Sequence, residues 1–169
     1  MRTRMIIPAV AVLLLGCAKP PEKDLWNSAV VAQQQRDADQ AIEAYLRLLD
    51  AYPKGERAPE ALYALATIYQ NDKHDPGKAL EYYQRVVNQY PDHATSPNSL
   101  FMIGYLYHND LKQLPEAKHA YEEFLKKYPN DPMAQSAQFE LATLGKPPDD
   151  VLPPPGKAET RGAGKTKGR

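Results

Sequence analysis

One cysteine, Cys17, is all that 169 residues contain, so the chain can close no disulfide on itself and build no cysteine metal cluster. Histidine is sparse as well. His74, His93, His108 and His119 include no pair at the i, i+4 spacing that sets two imidazoles on one helix face, and no metal or other cofactor is expected. No G-x-S-x-G turn and no cysteine–histidine partnership is present for nucleophilic catalysis. The adjacent carboxylates Glu122-Glu123 and Asp149-Asp150 point in different directions and read as solvated surface. Residues 162–166, GAGKT, imitate the end of a phosphate-binding loop, but the first glycine such a loop needs would fall at Glu159. These absences leave no catalytic constellation, and no enzyme is expected.

Net charge is missing too. Basic and acidic side chains both number 21, so no overall excess points to nucleic acid. The balance is uneven along the chain: residues 17–145 hold 13 basic and 18 acidic side chains, and the stretch from Lys146 holds 6 and 3. Strand signals are absent, and the apolar run from Met5 to Leu15 is eleven residues where a bilayer-spanning helix needs about 20. Tyrosine and proline are abundant instead, at 11 and 16, and they recur at fixed spacing.

The apolar run follows Arg2 and Arg4, the charge order of a secretory signal. Leu14-Leu15-Gly16-Cys17 then resembles the lipobox of bacterial lipoprotein signals. That resemblance implies a signal peptide at 1–16, cut before Cys17, whose thiol takes a diacylglyceryl group and whose new amine takes an acyl chain. Gly16 lets the peptidase reach the bond, and only a thiol forms the thioether. Gly16-Cys17-Ala18 is also the small-x-small pattern of an ordinary signal, a reading that leaves the cysteine without purpose. Two or more acyl chains, at about 0.8 kcal/mol per buried CH₂, make a stable anchor. Ala18, rather than aspartate, after the cysteine implies the outer membrane by resemblance to enteric sorting rules. Residues 17–24 then read as a lipidated tether.

Beyond the tether the chain repeats. AIEAYLRLLDAYP (41–53), ALEYYQRVVNQYP (79–91) and AKHAYEEFLKKYP (117–129) align without gaps at a step of 38. A second set runs in phase, with Leu65, Ile103 and Leu141, and with Tyr63, Phe101 and Phe139. Ala79, Tyr83, Val86 and Val87 fall at i, i+4, i+7 and i+8, one stripe of a helix. Proline cannot donate the next helical hydrogen bond, so each such helix should end at Tyr-Pro. Asp75-Pro76, Ser96-Pro97 and Asp131-Pro132 each place a capping side chain before a proline at the first helical position; Leu114-Pro115 has the proline without a polar cap. Asn71-Asp72 and Asn109-Asp110 suggest left-handed exits. The spacing predicts helices over 25–36, 38–52, 57–71, 76–90, 96–109, 115–128 and 132–144.

These residues resemble the tetratricopeptide repeat. The family's spacings of 4, 7 and 12 residues after an alanine occur three times, as in Ala79, Tyr83, Val86 and Pro91. Leu62-Leu65-Ala66-Tyr69, Leu100-Ile103-Gly104-Tyr107 and, in the opening helix, Trp26, Ala29, Val30 and Gln33 match the other half of the motif. Two departures are the bulky Leu48, Val86 and Phe124 where the family has a small residue, and a period of 38 rather than about 34. The longer Tyr-Pro connection resembles repeats of bacterial envelope proteins, notably the outer-membrane-protein assembly lipoprotein and the Tol–Pal-associated coordinator.

The resemblance implies an all-α, right-handed α-solenoid over residues 25–145, three helix pairs plus one capping helix. The first helix of each pair would line a concave groove that binds an extended or helical peptide segment of an envelope protein. The corresponding positions are Asn27, Val31, Gln34 and Gln35, then Tyr63, Thr67, Gln70 and Asn71, then Phe101, Tyr105, His108 and Asn109, with Phe139 from the end helix. Tyr63, Phe101 and Phe139 form a rung that reads either as a partner-binding wall or as packing against the next first helix; Tyr105, His108 and the amides suit contact better, since a core would not ask for them. Residues 146–169 read as an extended proline-rich stretch followed by a disordered end. Its Lys157, Arg161, Lys165, Lys167 and Arg169 would either touch anionic lipid or cell-wall polymer or only solubilise the chain. The expectation is a non-catalytic, lipid-anchored scaffold facing the periplasm and supporting outer-membrane protein assembly. Tol–Pal or cell-wall coordination, and bridging within a secretion or pilus machine by the convex face and ends, are the alternatives.

Overall fold

An alanine–tyrosine stripe recurring every 38 residues must be covered by a neighbour, and the chain covers it by laying helix against helix. The computed structural model describes residues 19–146. Among these, seven helices and no strand occur: α1 (Glu22–Gln34), α2 (Ala38–Ala51), α3 (Ala58–Asn71), α4 (Pro76–Gln89), α5 (Ser96–Asn109), α6 (Leu114–Lys127) and α7 (Ala134–Thr143). Each packs chiefly on the helices before and after it, giving pairs α1–α2, α3–α4 and α5–α6 with α7 closing the series. The expected all-α solenoid is the observed fold. Cys17 and the tail beyond Lys146 lie outside the described residues.

The repeat columns are the core. Ala41, Ala79 and Ala117 are fully buried and let the paired helix approach closely; Tyr45, Tyr83 and Tyr121 lie over them, equally covered. Leu48, Val86 and Phe124, bulkier than the family pattern, are also fully buried, so they fill the pair interface rather than crowd a surface. Burying a side chain of this size is worth roughly 1.5–3 kcal/mol.

Helix ends follow the sequence in part. The C-caps Tyr52, Tyr90 and Tyr128 leave the helix at φ −135°, −136° and −127°, as residues before proline must. Their hydroxyls then join repeat to repeat: Tyr90 donates to the Pro53 carbonyl at 3.0 Å, Tyr128 to that of Pro91 at 3.1 Å, and Tyr52 to that of Pro20 at 2.8 Å. Asp75 caps α4 as expected, accepting from Lys78 N at 3.0 Å, and Asp37 does the same for α2 through Gln40 N. Ser96 and Asp131 do not cap. Ser96 is fully buried and donates to the Tyr90 carbonyl, with Thr95 at the N-cap of α5; Asp131 accepts from Met133 N in a turn that delays α7 to Ala134. The left-handed residues are not the asparagines either. Asn71 and Asn109 stay helical, and Arg36, His74 and Lys112 take φ of 59°, 51° and 56°, one before each of α2, α4 and α6, the outer helices of the pairs.

At the other end, α1 starts at Glu22, three residues ahead of the expected 25. Glu22 and Asp24 favour a first helical turn, where carboxylates meet the positive end of the helix dipole. Glu22 Oε1 also accepts from Arg57 N at 2.8 Å, closing the start of α3, and only Gly55 leaves room for it, since a Cβ there would lie 2.2 Å from that oxygen. Lys19 sits 3.4 Å above the Tyr52 ring. Residues 19–24 thus contact the end of α2 and the start of α3, while Cys17 and Ala18 of the expected tether lie outside the described residues.

Candidate partner-binding surface

The odd-numbered helices carry the candidate site, and aromatic packing sets their register. Trp26, Tyr63 and Phe101 each meet the buried tyrosine of their paired helix, at centroid distances of 5.7 Å (Tyr45), 5.6 Å (Tyr83) and 5.6 Å (Tyr121). Tyr63 and Phe101 are half-buried, each with its ring against its own partner helix. Trp26 occupies the Tyr63 place, which shifts α1 by one residue from the sequence alignment: the step from α1 to α3 is 37.

This register corrects part of the expected groove. Tyr63, Thr67, Gln70 and Asn71 correspond to Trp26, Val30, Gln33 and Gln34, so Gln34 stays on the shared face while Asn27 and Val31 leave it. Val31 stands where Ile68 and Leu106 stand. Those are 2% and 0% exposed against the preceding helix pair, whereas Val31 is 49% exposed because no described residue covers it. The α1–α2 connection, where a 3.6-residue pattern gives no phase, is one residue shorter than the α3–α4 connection; Leu25 with Leu62 and Ala29 with Ala66, buried pairs 37 apart, were its legible trace.

Two expected contact residues, Gln70 and His108, have internal partners, and Gln33, which was not among the expected contacts, shares the Gln70 arrangement. Tyr45 donates to Gln33 Oε1 at 2.7 Å and Tyr83 to Gln70 Oε1 at 3.1 Å. In the third repeat His108 replaces that glutamine, and its Nδ1 lies 3.3 Å from Glu140 Oε2 on α7. The Tyr121 hydroxyl is left buried with no hydrogen-bond partner among the described residues. Burial disfavours the phenolate at all three tyrosines: Tyr45 is pushed up to about 12, Tyr83 is raised further with help from Tyr63, and Tyr121 is raised by burial, then by Glu140 and Tyr105. Gly104 belongs to the same arrangement, because a Cβ there would sit 2.7 Å from the Tyr121 ring.

What remains open on this face is Tyr105 at 37% exposure, with half-buried Thr67 and Asn109 and exposed Asn71 and Gln34. Thr67 donates to the Ala64 carbonyl and Asn109 to that of Tyr105, which leaves their remaining polar atoms for a ligand. Phe139, in the Phe101 position of α7, is 54% exposed because no described helix follows to pair with it. Glu140, which sequence reasoning did not single out, is brought beside His108 on this face. Neither α3, α5 nor α7 contains lysine or arginine.

Family models described as the tetratricopeptide repeat match residues 24–92 and 98–131. No curated protein matches the chain in sequence. Among solved structures, a tetratricopeptide repeat protein from Parabacteroides merdae is 21% identical with a TM-score of 0.61 over 75% of this chain, which spans only 46% of that protein's length. The first repeat module of Spaghetti (RPAP3), bound to the HSP90 peptide SRMEEVD, is 22% identical with a TM-score of 0.57, covering 74% of this chain and 90% of the module. Paired helices, repeated tyrosine–alanine packing and two matched repeat segments agree: the chain belongs to the tetratricopeptide-repeat family.

Proposed function

We propose that this protein is a lipid-anchored, non-catalytic scaffold of a bacterial envelope, facing the periplasm, that captures a peptide segment of a partner and supports outer-membrane protein assembly. The observation that carries partner capture is the α3–α5 face, where Tyr105 stands exposed near the His108–Glu140 pair and beside amides with free polar atoms. The RPAP3 module's peptide is an added support for this mode of binding. That peptide is acidic, whereas α3, α5 and α7 here offer no lysine or arginine to meet carboxylates. The segment bound here is not acidic, and it is held by phenol, imidazole and amide hydrogen bonds and by apolar contact. Acyl chains on Cys17 confine the groove to the membrane surface and raise its effective concentration near partners there.

Photocrosslinking from position 105 in producing cells, with mass spectrometry of the adduct, tests both parts. A barrel-assembly component is the expected adduct, and Cys17→Ala should release the protein from the membrane fraction and deplete that adduct. A Tol–Pal or wall-synthesis partner would move the pathway but keep the groove. The exposure of Phe139 favours one second reading, a bridging subunit that works through its end; adducts from position 139 with none from 105 would replace capture by bridging.

A further inference from the structure

Successive outer helices enclose a trough, and the two troughs of this chain differ by one ring. Between α2 and α4 the floor is Leu62, Leu65 and Tyr69 of α3, and Tyr82 of α4 fills it. Tyr82 lies flat on Tyr69, centroids 5.5 Å apart and planes 5° from parallel, with Lys78 Nζ 4.9 Å from the Tyr69 ring and the Arg85 guanidinium 5.4 Å from the Tyr82 ring. Thirty-eight residues on, Leu100, Ile103 and Tyr107 rebuild the floor between α4 and α6. The filling side chain does not return. Ala120 stands in the Tyr82 position, Glu116 in that of Lys78 and Glu123 in that of Arg85.

The missing ring leaves a cavity of about 310 Å³, floored by Val87, Leu100, Ile103, Tyr107 and Ala120 and rimmed by Glu116, His119 and Glu123. Gln84 Nε2 donates to the Tyr107 hydroxyl at 3.3 Å, fixing the ring that forms the floor. Glu123 already pairs with Lys127, but Glu116 has no ion pair among the described residues. We propose that this cavity docks a partner protein segment presenting an aromatic side chain with a lysine or arginine beside it. The ring supplies what Tyr82 supplies one repeat earlier, and the cation meets the two rim carboxylates that replace Lys78 and Arg85. Residues 140–169 contain no phenylalanine, tyrosine or tryptophan, so that stretch does not supply the ring. Of a second copy's aromatic rings, the most exposed, Phe139 and Tyr105, are flanked by Gln138, Glu140, Gly104 and Leu106, none of them cationic. The cavity lies among the outer helices, so it stands apart from the α3–α5 face.

Methyl NMR of the full-length protein in detergent, titrated with blocked Arg-Tyr-Arg peptide, tests this. Shifts should concentrate at Val87, Leu100 and Ile103, and Arg-Ala-Arg and Glu-Tyr-Glu should bind about tenfold more weakly or less. Ala120→Tyr, which copies the second repeat, should keep the thermal midpoint and abolish the shifts. Should that variant fold poorly, Glu116→Lys with Glu123→Lys, both on the rim, should reverse the preference toward Glu-Tyr-Glu. Unchanged binding by Ala120→Tyr, no preference among the peptides, or shifts at these methyls that depend on protein concentration without peptide would overturn the proposal, the last by assigning the cavity to a second copy.

Discussion

Tyr45, Tyr83 and Tyr121 share one place in three repeats, yet their hydroxyls meet different ends. The first two donate to a glutamine of the paired helix; the third is buried without a partner among the described residues, where His108 has turned to Glu140. Removing a hydroxyl that makes a hydrogen bond loses about 0.5–1.5 kcal/mol, whereas removing an orphaned one relieves a desolvation cost. Tyr45→Phe and Tyr83→Phe should therefore lower stability by about 1 kcal/mol each, and Tyr121→Phe should leave it unchanged or raise it by up to about 1 kcal/mol. Urea unfolding of the three variants decides it; an equal loss at Tyr121 would mean that water or a partner satisfies its hydroxyl in solution.

Among the elements, the outer helices α2, α4 and α6 are built alike: a left-handed residue, an N-cap, then fourteen helical residues. Asp37 and Asp75 cap the first two, but Gln113 gives α6 no side-chain cap, and its longer side chain is a poor substitute for the Asp geometry. Gln113→Asp should raise stability by about 0.5–1 kcal/mol, read as a higher thermal midpoint, while the same change at exposed Gln89, inside the last turn of α4, should not. No gain at Gln113 would mean that the α6 start is already satisfied by water.

Over the whole molecule, the buried phenols act together on the response to pH. Each has a folded-state pKa above the unfolded value near 10, so the folded state holds its proton longer. The stability this contributes is fully present below pH 10 and is lost as pH rises from there through the folded values. The thermal midpoint should be nearly flat from pH 8 to 9 and fall increasingly steeply above 10, and Tyr83→Phe should make the fall shallower. A midpoint that stays level to pH 11.5 would mean that the tyrosine column is open to water. Because the Tyr90 and Tyr128 hydroxyls also tie each repeat to the one before, this alkaline loss should spread through the series as one transition.

Helix number, the pairing and the tyrosine–alanine core were legible in the sequence, because a 38-residue period and a 3.6-residue stripe leave one arrangement that buries the same face three times. Chain ends of helices were legible where proline forbids continuation, and less so where a side chain had a choice of partners: Ser96 reached the Tyr90 carbonyl instead of capping α5. Of the expected groove, Tyr105, Thr67, Asn71, Asn109 and Gln34 keep their place, Gln70 and His108 are shared with internal partners, and Asn27 and Val31 fall outside it. Those differences belong to tertiary structure, since the length of the α1–α2 turn sets the phase of α1 only once Trp26 packs on Tyr45. Likewise, the sequence by itself records Ala120 against Tyr82 as one mismatch in a repeat. Packing turns that mismatch into a cavity, because a close-packed trough cannot close over a missing ring when α4, α5 and α6 are held apart by their other contacts.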